Sequence, residues 1–369
     1  MVEYKKLPHG TEMISTIGLG LGNIHTCAEG VVEETVRYAA ENGINFFDLC
    51  CGTVGTYKAF GNAVRGRRDR IYTQMHFGAA YPKGEYEFSR NEDIVKKSFD
   101  TVLEASGLEY TDFGYVHCID EWDDLRLMMR RGGIWDHMCA LKEQGIIRHL
   151  GFSSHTVAIA RELLKTGQVD LFMYSINPVY DYTGEGYGET GNAAERMALY
   201  REAEKQGVGI TVMKPFAGGQ LLDKKRSPLG IELSKTQCLQ YALDKPGVIC
   251  CLPGVGSTEH VKEVLRFYDA TAEEKDYSIL GTAVPDEKSG RCVYCNHCTP
   301  CPKGIDIGLV NKYYDLAQIG DEMAAGHYRN LSVHADACIS CGHCERRCPF
   351  HVKQMARMKE IGSYFEEKH

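Results

Sequence analysis

Two dense cysteine runs near the C-terminal end of the sequence constrain this chain more than any other feature. The later run, residues 338–349, has the spacing C-x2-C-x2-C-x3-C-P, and the earlier run, residues 292–302, has C-x2-C-x2-C-x2-C-P. Three closely spaced thiolates in such a run can reach three corners of one [4Fe–4S] cluster, while the fourth, beside proline, ligates the other cluster. The paired runs therefore predict two [4Fe–4S] clusters.

The same rule predicts which cysteines share a cluster. One cluster would take three thiolates of the earlier run and the last of the later run: Cys292, Cys295, Cys298 and Cys348. The other would take the converse set: Cys338, Cys341, Cys344 and Cys301. The earlier run is one residue shorter before its last cysteine than the later run is. Zinc needs only four ligands, so it leaves the third cysteine of each run and the Cys-Pro pairs unexplained.

The composition is typical of an ordinary globular protein. With 369 residues, 43% of them hydrophobic and 25% charged, the chain is long enough for one large and one small domain. The net charge of −8 argues against nucleic acid as a partner, and no apolar stretch predicts a membrane span.

The first residues lack the apolar core of a signal peptide, so we expect a cytoplasmic protein whose sixteen cysteines are reduced or metal-bound. Oxygen-labile clusters suit an anaerobic cell.

Short apolar runs alternate with helical patterns over the first 270 residues. The eight strand-like runs are residues 15–21, 44–49, 71–77, 113–119, 147–152, 171–176, 209–213 and 248–252. Helical patterns lie at residues 31–42, 93–105, 135–143, 156–165, 193–206, 236–244 and 257–268. This alternation predicts an α/β fold, a parallel (β/α)8 TIM barrel. A doubly wound sheet is the alternative, but Gly18, Gly20 and Gly22 lack the G-x-G-x-x-G spacing of its nucleotide-binding turn.

The cluster region is predicted to form a small domain of its own. We place the barrel at residues 1–280 and a ferredoxin-like domain at residues 281–369. The segment between the cysteine runs is too long for the short connection of a β-rich ferredoxin. Residues 305–325 within it have helical periodicity, so we expect a mostly helical domain.

Several motifs in the barrel region carry a resemblance to a known family. They are GINFFD at residues 43–48, LGFSS at 150–154, INP at 176–178, MKPFAGGQLL at 213–222 and LPGVGSTE at 252–259. In this order and spacing they resemble the aldo/keto reductase family. The C-terminal region is similar to the ferredoxin-fused, 4Fe–4S branch of that family, so the resemblance covers nearly the whole chain.

The resemblance implies a tyrosine that donates a proton, supported by lysine, aspartate and histidine, while NADPH gives hydride to a carbonyl. The aspartate corresponds to Asp48, and the tyrosine position falls on Thr53, four residues before Tyr57. The lysine position falls on His76, and the histidine is His117, or Asp120 if strand four is aligned without a gap. Asp48, Thr53, Tyr57, His76 and His117 are therefore the candidate catalytic residues.

The resemblance also assigns a cofactor site, from which this sequence departs. Ser153 and Ser154 occupy the positions that clamp the nicotinamide carboxamide, and Gly218, Gly219 and Ser257 are the further candidate cofactor-binding residues. The family's partner glutamine falls on Met173, its stacking aromatic residue on Met213, and its phosphate-binding basic pair on Gly254 and His260. Loss of the basic pair removes bidentate phosphate recognition. This loss argues against NADPH. NAD(P)H and a flavin are both kept as open alternatives beside the clusters.

In a TIM barrel the active site lies at the C-terminal ends of the strands. Several residues expected at those ends have side chains that can transfer protons, bind a metal or act as nucleophiles. They are His25, Cys27, Asp48, Cys50, Cys51, His76, His117, Cys118, Asp120 and Glu121. One interpretation makes His76 and His117 the proton donor and its orienting partner, with Asp48 fixing a tautomer. A second makes the four cysteines a metal site or reactive thiolates. A third treats them all as satisfied interior groups.

Three further segments allow a functional or a passive interpretation. Lys214 after strand seven could be a phosphate ligand or a Schiff base, or a solvated lysine. The acidic residues 120–124 could bind a cation, but a solvated loop is favoured. The Gly- and Tyr-rich residues 178–188 could be a lid over the barrel mouth or a surface loop without a role.

These features favour an iron–sulfur oxidoreductase that passes electrons from an external carrier through two clusters to a small carbonyl or activated alkene. One alternative is an NAD(P)H-dependent carbonyl reductase with structural clusters. Another is a non-catalytic electron carrier. Clusters transfer single electrons whereas a hydride carries two, so a pyridine nucleotide would require a flavin or a radical step between them. The expected partners are a small substrate and an external electron carrier, without nucleic acid or membrane.

Overall fold

A curled sheet of parallel strands forms the centre of the structure, a computed structural model that describes residues 1–183, 191–283, 290, 292, 298–318, 322–348 and 350–367. The strands are β1 (Tyr4–Lys6), β2 (Met13–Ser15), β3 (Leu19–Gly20), β4 (Phe46–Leu49), β5 (Tyr72–Phe77), β6 (Ala79–Ala80), β7 (Glu87–Phe88), β8 (Thr111–Val116), β9 (Ile147–Ser154), β10 (Leu171–Ser175), β11 (Gly209–Met213) and β12 (Val248–Cys251). The helices of the barrel region are α1 (Glu29–Glu41), α2 (Val54–Val64), α3 (Glu92–Ser106), α4 (Trp122–Met129), α5 (Ile134–Glu143), α6 (Val157–Leu164), α7 (Pro178–Thr183), α8 (Ala193–Lys205), α9 (Lys235–Leu243), α10 (Thr258–Leu265) and α11 (Ala272–Lys275).

Within these described residues, eight parallel strands pair in the order β3-β4-β5-β8-β9-β10-β11-β12. The two outer strands of this series meet through parallel bridges, Ile17 with Cys251 and Gly20 with Gly254. There the Gly18 amide donates to the Cys251 carbonyl, and the Cys251 amide donates to the carbonyl of Thr16, both at 2.8 Å. The sheet therefore curls onto itself, as the predicted (β/α)8 barrel requires.

The helices cover the barrel with apolar stripes that the helical period places on one face. In α3, Val95, Phe99 and Val102 are buried at spacings of four and three residues, while its charged residues point outward. The helix ends at Gly107, whose backbone is left-handed at φ 64°, a conformation that favours glycine. This alternation of buried and exposed positions is the pattern that predicted the helices from sequence.

The N-terminal end of the barrel is closed by the β1–β2 hairpin. Its antiparallel pairing runs from Tyr4 opposite Ser15 to Lys6 opposite Met13. Leu7 and Ile14 are completely buried in an apolar cluster with side chains from inside the barrel, such as Phe46 and Phe113. Because this end is filled, the space for a ligand lies at the opposite, C-terminal end of the strands.

Local chemistry explains three helices that the sequence pattern did not predict. Helix α2 begins after Thr53, whose side chain accepts from the amide of Thr56 in a capping box. Helix α4 begins in the acidic run predicted to be a loop, because Asp123 and Asp124 in its first turn stabilise a helix N-terminus. Helix α7 begins at Pro178, a residue favoured in a first turn.

Helix α7 occupies the first part of the Gly- and Tyr-rich segment predicted to be a loop or lid. The rest of that segment, residues 184–188, lies outside the described residues.

The C-terminal region is helical where the structure describes it. Its helices are α12 (Ile307–Gln318), α13 (Glu322–Arg329), α14 (His343–Arg347) and α15 (Gln354–Glu367). The single helical pattern predicted at 305–325 corresponds to α12 and the beginning of α13. A separate apolar cluster that includes Val310, Ile361 and Phe365 lies between these helices. The boundary between residues 280 and 281 stays a prediction.

Ion pairs and ring stacking attach these helices to the barrel beside α7 and α8. Asp315 of α12 accepts from Arg201 at 2.7 Å, and Lys312 lies 2.6 Å from Glu204. The ring of Phe350 stacks on that of Tyr182 with centroids 6.2 Å apart. Among the helices that the structure describes, none has both the length and the hydropathy needed to cross a membrane.

One ionic network joins the hairpin to the barrel and makes stability depend on pH. His149 contacts Glu12 through Nε2 and Asp170 through Nδ1, each at 3.1 Å. Burial works to lower the pKa of His149, but the bonds to Asp170 and Glu12 outweigh it and raise that pKa above its ordinary value. Burial works to raise the pKa of each carboxyl, but the bond to His149 outweighs it and lowers both pKa values.

We predict that His149→Gln destabilises the fold most at mildly acidic pH. The raised pKa contributes stability that is present below about pH 6.5 and is lost as pH rises through the folded-state value. The difference in the free energy of unfolding between wild type and variant should therefore shrink as pH rises above about 6.5. His137→Gln is the control, because burial lowers the pKa of His137 and should give the opposite trend. Urea denaturation followed by circular dichroism measures both differences, and a difference independent of pH would contradict the assignment.

Candidate active site and cluster region

A cavity of about 580 Å³ opens at the C-terminal ends of the barrel strands. Its walls are formed by residues at the C-terminal ends of most barrel strands or in the turns that follow them. The polar and sulfur-containing side chains that line it are Asn23, Asp48, Cys50, Cys51, His76, His117, Cys118, Ser153, His155, Met173, Met213, Lys214, Lys235 and His260. Its position and lining make it the candidate active site.

A chain of buried hydrogen bonds crosses one wall of this cavity. Asp48 Oδ1 lies 2.9 Å from His76 Nε2, and His76 Nδ1 lies 3.1 Å from His117 Nδ1. The chain continues from His117 Nε2 to the hydroxyl of Tyr86 at 3.0 Å. Gln74 donates to Asp48 Oδ1 at 2.9 Å. Three adjacent strands, β4, β5 and β8, thus bring together an aspartate and two histidines that lie far apart in sequence.

Burial controls the electrostatics of this wall. The side chain of His76 is 1% exposed and that of Asp48 is 11% exposed. Burial, together with the neighbouring His76, holds the pKa of His117 well below its ordinary value, so this imidazole is neutral at neutral pH. Burial also raises the pKa of Tyr86 well above its ordinary range. The chain can therefore move protons between neutral groups beside a fixed carboxylate.

Two adjacent thiols face the same chain. Cys50 Sγ lies 3.4 Å from Cys51 Sγ and 3.7 Å from His117 Nδ1. The hydrogen bond with Cys51, and then burial, raise the pKa of Cys50 well above its ordinary value. Cys51 has a left-handed backbone with φ 58°. This conformation is uncommon for a residue with a side chain and is concentrated at functional sites.

A second polar group lies where β9 and β11 end. His155 Nδ1 is 2.9 Å from Asp120 Oδ2, and its Nε2 is 3.2 Å from the ammonium of Lys214. Burial works to raise the pKa of Asp120, but hydrogen bonding and the charge of His155 outweigh it and lower that pKa. The thiol of Cys118 donates to Asp120 at 3.4 Å, and burial, with the carboxylate second, raises its pKa to about 12. Lys214 and Cys118 also have left-handed backbones.

Two candidate catalytic residues lie away from the cavity walls described here. Thr53 caps helix α2 and bonds to Thr56. Tyr57 is completely buried, and its hydroxyl accepts from the Gly52 amide at 3.0 Å and donates to Tyr81 at 2.5 Å. Burial raises the pKa of Tyr57 well above its ordinary value. Of the five candidates, the structure brings Asp48, His76 and His117 together.

The candidate cofactor residues also divide into two groups. Ser153, Gly218 and Gly219 line the cavity. Ser154 is buried behind it and donates to Asp120 at 3.2 Å, and Ser257 caps helix α10 by accepting from the His260 amide. The residues that replace the family's nicotinamide contacts line the cavity as well: Met173, Met213, Gly254 and His260.

Sequence reasoning missed three residues of the site. Gln74 precedes His76 by two positions on β5, so the strand period places both side chains on one face and could have identified it. His155 directly follows the predicted pair Ser153-Ser154 at a strand end, which is also a usable signal. Tyr86 lies next to β7 in the short β6–β7 insertion, and nothing in the sequence pattern indicated its contact with His117.

Four other residues expected at the barrel mouth are not among those that line the cavity. His25 Nδ1 lies 2.6 Å from the Gly22 carbonyl, and the thiol of Cys27 donates to the Gly256 carbonyl at 3.4 Å. Asp120 lies behind Cys118 and His155, as described above. Glu121 immediately precedes helix α4.

In the C-terminal region, four cysteines from the two runs converge on one small space. A cavity of about 20 Å³ is lined by Cys301, Cys338, Cys341 and Cys344, together with apolar side chains such as Ile305 and Met358. The Ser340 amide donates to Cys338 Sγ at 3.4 Å. An all-thiol donor set in an apolar pocket fits an iron–sulfur cluster.

The other predicted set is only partly described. Cys348 and Cys298 are buried, and the Val352 amide donates to Cys348 Sγ at 3.4 Å. The amide of Gln354 lies 3.9 Å from Cys292 Sγ. Cys292 also lines a separate cavity of about 280 Å³ between α7, α8 and the C-terminal helices. Cys295 lies outside the described residues.

Comparison with known protein families agrees with this architecture. The model of the aldo/keto reductase family matches residues 16–237, and that of the 4Fe-4S dicluster domain matches residues 269–352. None of the curated proteins matches the chain significantly.

Solved structures with a similar fold are aldo-keto reductases. One from Bacillus halodurans, in its holo form, has 20% sequence identity and a TM-score of 0.60, and the match covers 77% of this chain and 97% of that one. Another from Brucella melitensis has 19% identity and a TM-score of 0.53, covering 75% of this chain and 98% of that one. At these identities the likeness shows the barrel fold.

The fold and cavity define the class as a TIM-barrel protein with a C-terminal iron–sulfur region. The chain belongs to the aldo/keto reductase family, since that family's model spans more than half of its length. It is an oxidoreductase, and the dicluster match supports iron–sulfur clusters in its C-terminal region.

We predict that Tyr57→Phe lowers stability but spares the reaction. Removal of the hydroxyl leaves the buried Gly52 amide without its partner, which should cost about 1–3 kcal/mol in the free energy of unfolding. Substrate reduction should stay within a few-fold of wild type, since the hydroxyl bonds to Gly52 and Tyr81. Tyr4→Phe, at an exposed tyrosine, is the matched control and should change neither property. A loss of turnover with unchanged stability would instead make Tyr57 the proton donor.

Proposed function

We propose that the protein is an iron–sulfur oxidoreductase that reduces a small carbonyl or activated alkene in the barrel cavity. Electrons would come from an external one-electron carrier of the ferredoxin type and pass through two [4Fe–4S] clusters. The observation that carries the proposal is the Asp48–His76–His117–Tyr86 hydrogen-bond chain on the cavity wall. It offers proton transfer where the family's tyrosine and lysine are absent.

In this proposal His76 and His117 deliver the proton, while Asp48 and Tyr86 hold the two rings in orientation. Asp48 contacts His76 Nε2 at 2.9 Å and Tyr86 contacts His117 Nε2 at 3.0 Å, so each ring has a partner outside the pair. A buried, prearranged chain of this kind requires little reorganisation during the reaction. Because the pKa of His117 is held well below its ordinary value, this ring would pass a proton between its two nitrogens as a neutral imidazole.

The overall reaction balances without a hydride donor. A carbonyl becomes an alcohol by taking up two electrons and two protons, with one new bond from hydrogen to carbon and one from hydrogen to oxygen. Clusters, when bound, supply electrons one at a time. The relay supplies a proton at the reduced oxygen or carbon and is reprotonated from solvent, which provides both protons over one cycle.

The proposed ligand sets are the two crossed groups of four cysteines. The convergence of Cys301, Cys338, Cys341 and Cys344 on one pocket supports the second set, since Cys301 comes from the other run. Cys292, Cys295, Cys298 and Cys348 form the first set by the same spacing rule. Two complete sets give two clusters per chain.

One observation favours NAD(P)H as an alternative electron donor. Ser153, Gly218 and Gly219 line the cavity at positions that the family resemblance assigns to the cofactor. Against it, the cavity wall has Met173 and Met213 where the family binds and stacks the nicotinamide. A flavin between the two systems would reconcile hydride with one-electron transfer. Fluorescence quenching on anaerobic titration with NADPH decides whether the nucleotide binds.

The first test uses the anaerobically purified holoenzyme with its clusters reduced by dithionite and no nucleotide present. A panel of small aldehydes, ketones and activated alkenes should include compounds that reoxidise the clusters, seen as recovery of visible absorbance. If none does so, while NADPH supports turnover of the same panel, direct electron transfer is wrong and the alternative donor is correct.

We predict that Cys301→Ala removes one cluster. Wild type should contain about eight irons per chain, and the variant about four, because one cubane loses its fourth ligand. Iron and sulfide analysis with electron paramagnetic resonance of the reduced protein measures the change. Cys139→Ala is the matched control, since Cys139 lies on α5 outside both runs. Retention of about eight irons by Cys301→Ala would exclude Cys301 as a cluster ligand.

We predict that His76→Gln slows substrate-dependent reoxidation of the clusters by about 10²- to 10⁴-fold, the usual contribution of a positioned general acid. Reoxidation by a one-electron dye needs no proton relay and should keep its wild-type rate. His25→Gln is the control, because His25 contacts the Gly22 carbonyl outside the relay. Wild-type rates of substrate reduction in His76→Gln would exclude this histidine from proton delivery.

A further inference from the structure

The two adjacent thiols and His117 form a compact group of soft ligands at the cavity wall. Potential ligand atoms of Cys50, Cys51 and His117 all lie within 4.8 Å of one another. All three residues line the cavity, so a ligand entering it can reach them. Two thiolates and an imidazole are the donor types that select zinc and similar borderline cations.

The observed separations fit a single tetrahedral ion. Zinc–sulfur and zinc–nitrogen bonds of about 2.3 Å and 2.0–2.1 Å place two sulfurs about 3.8 Å apart and a sulfur and nitrogen about 3.6 Å apart. The structure has 3.4 Å between Cys50 Sγ and Cys51 Sγ and 3.7 Å between Cys50 Sγ and His117 Nδ1. The third pair, Cys51 and His117, has ligand atoms within 4.8 Å of each other, so a side-chain shift of about 1 Å at most would complete the tetrahedral geometry.

The backbone is shaped so that neighbouring thiols point the same way. Consecutive residues of an extended chain direct their side chains to opposite sides. The left-handed conformation of Cys51, with φ 58°, breaks that alternation directly after β4 and brings its thiol beside that of Cys50. Residues other than glycine seldom adopt this conformation without a structural or functional reason.

The second ring nitrogen of His117 has the kind of hydrogen-bond partner expected for a metal-bound histidine. His117 Nε2 lies 3.0 Å from the hydroxyl of Tyr86, which fixes the ring and can accept its N–H. In that tautomer Nδ1 carries a lone pair, and it lies 3.7 Å from Cys50 Sγ and 3.1 Å from His76 Nδ1. A second hydrogen-bonded partner on the non-ligating nitrogen is the usual support for a metal-bound histidine.

We propose that Cys50, Cys51 and His117 bind one zinc ion whose fourth coordination position opens into the cavity. Three protein ligands with one open position are the arrangement of catalytic rather than structural zinc. The ion would be placed to bind an oxygen of a cavity ligand. The site goes beyond the proposed function, which requires no such ion. Zinc on Nδ1 of His117 would break the contact with His76, so the zinc-bound form would keep only Asp48 and His76 of the relay.

A neighbouring group is less suited to a cation. Ligand atoms of Cys118, Asp120 and His155 are also close together. However, His155 already uses Nδ1 on Asp120 and Nε2 on the ammonium of Lys214. A lysine charge beside a prospective ligand opposes cation binding. This contrast provides an internal control for the experiment.

The test is zinc binding by the reduced holoenzyme with its full iron content. After equilibration with Zn²⁺ and removal of excess ion, elemental analysis should find about one zinc per chain in wild type, as for a single tetrahedral site. Cys50→Ala, Cys51→Ala and His117→Gln should each lose at least about nine-tenths of that zinc while retaining their iron. Cys27→Ala and Cys118→Ala should bind it like wild type.

Zinc X-ray absorption of the wild-type protein makes the test independent of variant folding. The expected first shell contains two sulfurs and one nitrogen with a light-atom fourth ligand. Absence of zinc from wild type, zinc retained by the three variants, or a shell of four sulfurs from the cluster cysteines would each overturn the proposal. The measurement involves no substrate or turnover, so its failure leaves the proposed electron transfer to its own test.

Discussion

The hydrogen bonds that close the sheet between its first and last parallel strands determine where the chemistry can lie. Once the Gly18 and Cys251 amides are paired across this seam, the C-terminal strand ends meet in one ring. Asp48, His76 and His117 then become neighbours because β4, β5 and β8 are adjacent in strand order. The hairpin fills the opposite end with apolar side chains, so the cavity lies at the C-terminal ends of the strands.

Within that ring, the low polarity of the barrel interior makes every polar group dependent on a partner. A buried carboxylate such as Asp48 is tolerated because His76 and Gln74 both contact it. Burial, with the neighbouring His76, keeps His117 neutral, while the hydrogen bond with Cys51, and then burial, raises the pKa of the Cys50 thiol. The wall thus combines an aspartate, two histidines and a thiol, with His117 uncharged, where the family resemblance implies a tyrosine and a lysine.

The fold and the cluster region could be predicted from sequence because both depend on short-range regularities. Strand period, helix period and cysteine spacing are local, and the observed strands begin or end within a few residues of the predicted runs. Tyr86 was missed because it reaches His117 through an insertion whose folding depends on tertiary contacts. Cys50 and Cys51 were placed at the barrel mouth together with Cys27 and Cys118, but their direct contact depends on a left-handed backbone at Cys51 that no pattern specifies. Tyr57 matched the expected residue type, yet its hydroxyl bonds to Gly52 and Tyr81, a matter of packing that sequence alone does not determine.

The stacking of Phe350 on Tyr182 has a consequence for how the two parts of the chain respond to each other. Phe350 lies two residues after Cys348, and Tyr182 follows Asp181, a buried carboxylate that accepts hydrogen bonds from Arg196, Tyr200 and Tyr241 of the barrel. A group that binds Cys348 would therefore also restrain the ring of Phe350, which stacks on Tyr182 beside this network. By thermodynamic linkage, binding at Cys348 and rigidity of the Asp181 network would favour each other. Loss of the group bound at Cys348 would make that network more mobile.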